Sequence, residues 1–256
     1  MPDQQENGPP LFTYAAMATL LAFFGAQYKQ FDLSKFYAFQ WRVADGELWR
    51  LITCTFLHSG VMHIAFNAIL FLRFSTVIDN WLGPWAAMLL YVFFAMSSNA
   101  AQLLVSNASV IGASGVVYGL FGFLWVMSRR RDDAAEAANR HTVETMLAWL
   151  GICALINYFG GNIGNTAHAM GLLLGWLVGQ TFVARKTWRI PLALTTLAVW
   201  AIPLILIQPA VWNRTLAYVP PFSGWYSFRS VSPEERIVYE GPEYAPDVGL
   251  FSSQRR

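Results

Sequence analysis

The sequence predicts an all-α fold, a polytopic bundle of membrane-spanning helices, and three observations predict it. Of 256 residues, 55% are hydrophobic and only 12% are charged, against roughly 25% charged in an average soluble chain. That apolar fraction exceeds what one water-soluble core absorbs. The apolar residues fall into about seven stretches near the length of about 17 to 25 residues that a helix needs to cross a bilayer. Between those stretches lie short loops that hold clustered cations, Arg129-Arg130-Arg131 and Arg185-Lys186.

Taken in order, residues 1–10 lack the positive n-region of a cleavable signal peptide. They are expected to remain as a cytoplasmic tail ahead of a retained first span. The spans expected are Leu11 to Gln27, Gly60 to Ile78, Pro84 to Val105, Ile111 to Met127, Val143 to Phe159, Gly164 to Ala184 and Ile190 to Ile207. The connection from Tyr28 to Ser59 carries Lys29, Lys35, Arg42, Asp45, Glu47 and Arg50, and is too polar to span. Its many Phe, Tyr and Trp residues favour the interface, which predicts a loop lying partly in one leaflet. Residues 185–209 supply a cytoplasmic loop and the seventh span. Residues 210–256, with Pro220-Pro221 and acidic clusters but no sustained period, predict an irregular extracytoplasmic tail. Asn213-Arg214-Thr215 in that tail reads as a glycosylation acceptor only in a luminal, eukaryotic setting.

Arg129-Arg130-Arg131 with Arg140, and Arg185-Lys186 with Arg189, follow the fourth and sixth spans. The positive-inside bias makes that side cytoplasmic, with the N-terminus inside and the tail outside. The short loops fit a bacterial cytoplasmic membrane. A net charge of +2, with basic residues dispersed among the segments, excludes a nucleic-acid partner. Cys54 and Cys153 show neither C-x-x-C spacing nor neighbouring ligands, so no disulfide framework, metal or cofactor is expected.

Two polar residues stand out in the apolar runs. Ser114 lies in Gly112-Ala113-Ser114-Gly115, and His168 in Ala167-His168-Ala169-Met170-Gly171. A nucleophile and a base placed in lipid surroundings are costly and demand a functional account. In the orientation above, spans two, four and six all run inward. His63 and Asn67, Ser114, and His168 fall within the first two turns of those spans, at similar depth in the outer leaflet. At ~1.5 Å per residue the fourth span covers about 26 Å, less than the roughly 30 Å hydrocarbon core. That places Ser114 on the floor of a dip lined by Ser106-Asn107-Ala108-Ser109, within reach of water.

His63 and Asn67 share a helix face at i and i+4, as do Ser114 and Tyr118. Gly171, Gly175 and Gly179 recur on the face of His168, and Gly115, Gly119 and Gly122 offer a matching small face. Close approach of those two helices is what would bring the Ser114 hydroxyl within roughly 3 Å of a His168 nitrogen. Each signal has a plainer alternative. Gly-x-Ser-Gly is common in membrane helices, Asn67 also suits a bridge between helices, Tyr118 also suits packing, and His58 and His141 read as structural or exposed. The weight lies in the joint arrangement.

In chain order, Glu47-Leu48-Trp49-Arg50, His58-Ser59-Gly60-Val61-Met62-His63-Ile64-Ala65-Phe66-Asn67, Gly112-Ala113-Ser114-Gly115-Val116-Val117-Tyr118, and Ala167-His168 with Gly171 and Gly175 resemble the motifs of rhomboid intramembrane serine proteases. The resemblance covers about Leu11 to Ala184. It implies a six-helix core with Ser114 as nucleophile and His168 as general base, a first loop half in the membrane carrying Trp49 and Arg50, and Tyr118 packed under the histidine ring. It also implies that the seventh span is an appended helix.

Residues and resemblance together suggest hydrolysis through an acyl-enzyme and a Ser/His dyad, since no Asp or Glu accompanies the site. His63, Asn67 and the Ser114 backbone N–H are the expected oxyanion donors. The expected partners are transmembrane protein substrates, which must unwind locally, and the lipid bilayer; the oligomeric state is left open. An inert rhomboid-like protein that binds membrane clients and a transporter are the rival classes. Both Ser114 and His168 are present, which disfavours the first, and no inverted repeat is apparent, which disfavours the second.

Overall fold

The computed structural model describes residues 8–105 and 109–208. Ser106-Asn107-Ala108, most of the N-terminal tail and all of the 210–256 tail with Asn213 lie outside the described residues. The elements are α1 (Leu11–Tyr28), α2 (Gln40–Ala44), α3 (Arg50–Thr53), α4 (Val61–Leu82), α5 (Pro84–Val105), α6 (Ser114–Met127), α7 (Asp132–Ala137), α8 (Arg140–Tyr158), α9 (Asn165–Val183) and α10 (Lys186–Leu206). Among the described residues there is no strand, only an isolated bridge between Ala38 and Val110.

Each of the seven expected stretches falls on one helix. Five of them, α1, α4, α5, α9 and α10, are long and apolar enough to cross a membrane. The other two depart from the expected bounds for local reasons. The expected fourth span from Ile111 becomes a helix only at Ser114, because Gly112 has φ +104, a left-handed conformation outside the helical region. This leaves 14 residues, about 21 Å of helix. Helix α8 starts at Arg140 rather than Val143, because the Asn139 side chain accepts the Thr142 N–H at 2.9 Å and caps it there. Helix α10, on the expected seventh span, also begins early, at Lys186 rather than Ile190, and carries Pro191 and Pro203 within it.

Short, apolar α6 is the axis of the bundle. From Gly115 to Met127 every residue except Trp125 is buried, with α4, α5 and α9 around it. Phe74, Phe94, Phe121 and Phe123 fill the surrounding core and are fully buried. The tightest seam joins α6 to α9. A Cβ on Gly171 would lie 2.0 Å from the Gly115 carbonyl oxygen, and one on Gly175 would lie 1.9 Å from that of Gly119. Backbone touches backbone there, an approach that only glycine permits.

The 29–60 connection is a folded clasp. It holds α2, α3 and two 3-10 turns, Ser34–Phe36 and Cys54–Phe56. Arg50 is buried, donates from Nη1 to the Ser34 and Tyr37 carbonyls at 3.0 Å each, and pairs with Glu47. Asn99 of α5 donates to the Leu51 carbonyl at 2.7 Å. The far end of the clasp reaches the segment before α6: Val110 N–H donates to the Ala38 carbonyl and Gly112 N–H to the Cys54 carbonyl. Loop and site are thereby tied together.

Candidate active site

Three helix starts converge on one cavity. His63 is in the first turn of α4 and Asn67 one turn further, Ser114 is the first residue of α6, and His168 is in the first turn of α9. These residues, with Gly112 and Tyr118, line a cavity of about 400 Å³. His168 Nε2 lies 2.8 Å from Ser114 Oγ, within hydrogen-bond reach. Only 4% of His168 is exposed, and its Nδ1 is buried with no partner among the described residues. No Asp or Glu lines the cavity among those residues. The ring is held instead by a face: Tyr118 stacks on it, centroids 4.8 Å apart and planes at 27°. The Tyr118 hydroxyl donates to the Met146 carbonyl of α8 at 3.0 Å, which fixes the supporting ring in turn.

The opposite wall comes from α4. Asn67 is buried, and its amide donates to the His63 carbonyl at 3.0 Å, the i−4 position of its own helix. The His63 ring occupies the space a side chain at Gly112 would need, since a Cβ there would be 2.7 Å from Cε1 and 2.8 Å from Nε2. Gly112 therefore serves twice, by its backbone conformation and by the room it leaves. Gly115, Gly171 and Gly175 lie on the α6/α9 seam and set the helix spacing from which Ser114 and His168 project.

Besides those three seam glycines, Trp49 and Arg50 are also absent from the cavity lining. Trp49 is 54% exposed on the clasp, and Arg50 is locked inside it. His58, read as structural or exposed, is fully buried. Burial, then the neighbouring His63, hold its imidazole well below the ordinary value, which keeps it neutral. Its backbone exchanges bonds with the Gln27 side chain of α1 at 3.0 and 3.3 Å.

Gln102 is the residue the sequence reading missed. From α5 its Oε1 accepts the N–H groups of Thr166 and Ala167 at 3.0 and 3.1 Å, satisfying orphan donors at the start of α9 immediately before His168. The available signal was a run of polar residues, Ser97, Ser98, Asn99 and Gln102, inside an otherwise apolar span.

Fold and site together define a class, a helical membrane bundle with a serine and an imidazole paired at the ends of facing helices. A family model of the rhomboid domain matches residues 45–185, and the chain belongs to the rhomboid family. It is 31% identical over 146 residues to the putative rhomboid protease YdcA of Bacillus subtilis (strain 168), a match covering 56% of this chain and 72% of that protein. It is 33% identical over 132 residues to the rhomboid protease GlpG of Serratia proteamaculans (strain 568), covering 52% of this chain and 47% of that one. Against GlpG of Yersinia pestis (strain Pestoides F) the identity is 31% with the same coverage. The match thus spans about half the length of the GlpG relatives. Family and apolar helices make this an integral membrane protein, and the names of its relatives support protease activity.

Proposed function

We propose that the chain is an intramembrane serine endopeptidase that cuts peptide bonds in or near transmembrane segments through a Ser114/His168 dyad. The observation that carries this reading is the 2.8 Å contact between Ser114 Oγ and a buried imidazole inside a cavity between apolar helices. His168 Nε2 accepts the Ser114 proton as Oγ attacks the scissile carbonyl carbon. The carbonyl oxygen becomes an oxyanion, stabilised by the His63 and Asn67 side chains and the Ser114 N–H at the positive end of α6. His168 then gives its proton to the leaving amine as the C–N bond breaks. A water molecule, deprotonated by the same nitrogen, attacks the acyl-enzyme and releases the carboxylate, and the proton returns to Ser114. With Nδ1 of His168 unpartnered, Tyr118 replaces the orienting acid of a triad.

Substrates on this reading are transmembrane helices, which expose a peptide bond only after local unwinding; weak helix formers near the cut favour that. On this reading the Arg129-Arg130-Arg131 side faces the cytoplasm and the cavity opens on the opposite side of a bacterial cytoplasmic membrane, an orientation that the cationic loops support through the positive-inside bias. The test is labelling of the detergent-purified protein with a fluorophosphonate probe. Labelling of the wild type that is absent from Ser114→Ala and slowed at least about 10²-fold in His168→Ala supports the reading. An unlabelled, folded wild type overturns it in favour of an inert, client-binding member of the family.

A further inference from the structure

His63 presents one edge to Gly112, where Cε1 and Nε2 fill the space of a missing Cβ. Its other nitrogen, Nδ1, lies 3.3 Å from the backbone N of Ser59 and 3.0 Å from Ser59 Oγ. A backbone N–H donates and never accepts. At 3.3 Å this bond is long, so it biases Nδ1 toward offering a lone pair without fixing it, and in a neutral imidazole that lone pair leaves the proton on Nε2. The ring has little freedom to turn over, because the buried His58 meets it edge-to-face at 4.8 Å on one side and Gly112 confines it on another.

We propose that Ser59 is a positioning residue that holds His63 in its Nε2–H tautomer and so makes it a hydrogen-bond donor toward the Gly112-to-Ser114 side of the cavity. This rests on the reading of His63 as an oxyanion donor. In the other tautomer Nε2 would carry a lone pair and repel the developing oxyanion. The backbone N–H contributes whatever the side chain at 59; the hydroxyl, as the second donor to Nδ1, is what this chain's own residue adds. Ser59 lines the cavity without being near enough to Ser114 to bond it, so its action passes through His63.

The experiment is 15N NMR of the full chain in detergent micelles with labelled histidine. The chain has 4 histidines, and the His63 signals are assigned by their loss in His63→Ala. In the wild type Nδ1 is expected unprotonated and Nε2 protonated. Ser59→Ala shifts His63 toward a mixture of tautomers, and Ser59→Thr restores the single form. In parallel, the rate of fluorophosphonate labelling falls roughly 3- to 10-fold in Ser59→Ala, the worth of one hydrogen bond. It recovers in Ser59→Thr and falls no further when Ser59→Ala is added to His63→Ala. A wild type carrying its proton on Nδ1 overturns the proposal. So does a Ser59→Ala loss that persists undiminished without His63, since that marks a merely structural role. If the tautomer follows Ser59 while His63→Ala labels at the wild-type rate, the oxyanion assignment of His63 fails and the control of its ring by Ser59 stands.

Discussion

Helices α9 and α8 both contribute to the cavity, yet they are attached in opposite ways. Helix α9 meets α6 backbone to backbone through Gly171 and Gly175. Helix α8 buries only Thr142, Met146 and Cys153, and leaves Leu147, Ile152, Leu155 and Ile156 exposed. The first contact has no slack; the second is apolar surface that lipid covers as well as protein does. The proposed dyad, Ser114 and His168, sits on the stiff seam, and only the prop beneath the imidazole, Tyr118 through Met146, reaches the loosely held helix. Precision is concentrated where the proposed chemistry needs it.

The largest effect expected is loss of the reacting pair itself. Ser114→Ala abolishes fluorophosphonate labelling, and His168→Ala lowers its rate by roughly 10² to 10⁴, with the thermal unfolding midpoint of either variant little changed. Asn67→Ala is expected to cost about 10² to 10³ in turnover of a transmembrane peptide, the usual range for one oxyanion donor; an unchanged rate would remove Asn67 from the site. A sharper contrast comes from one substitution made in both helices. Gly175→Ala forces a Cβ into the Gly119 carbonyl and is expected to destabilise by about 1–3 kcal/mol or more. Gly151→Ala in α8 meets nothing within 4 Å and is expected to stabilise by about 0.5–1 kcal/mol through helix propensity. Thermal denaturation of the two variants side by side breaks the comparison if the shifts share a sign. The smallest effect is that of Tyr118→Phe, which loses the bond to Met146 and about 1 kcal/mol of stability while keeping the stacked ring. Its labelling rate should fall modestly.

Much of this was legible in the sequence because a membrane helix is written in long apolar runs and an intramembrane polar residue is conspicuous against them. Ser114, Tyr118, His168, His63 and Asn67 could be named from that contrast, and the structure gathers them around one cavity. The start of α6 was harder. Ile111 is as apolar as any residue in the run, and the left-handed turn at Gly112 that excludes it from the helix depends on the loop bonded to its N–H through Cys54. Gln102 escaped because its role lies in two N–H groups of another helix, a contact no local pattern encodes. Arg50 and Trp49 were drawn toward the site by resemblance, whereas the bonds of Arg50 all close within its own loop.

Helix α6 spans 14 residues where its neighbours α4 and α5 span 22 each. A helix that stops short leaves its first N–H groups without intrahelical acceptors, here at the edge of the cavity. In a purely architectural helix that truncation would be a defect. On the proposed mechanism, the start of α6 at Ser114 is instead a donor held ready for the negative charge that a substrate's carbonyl acquires.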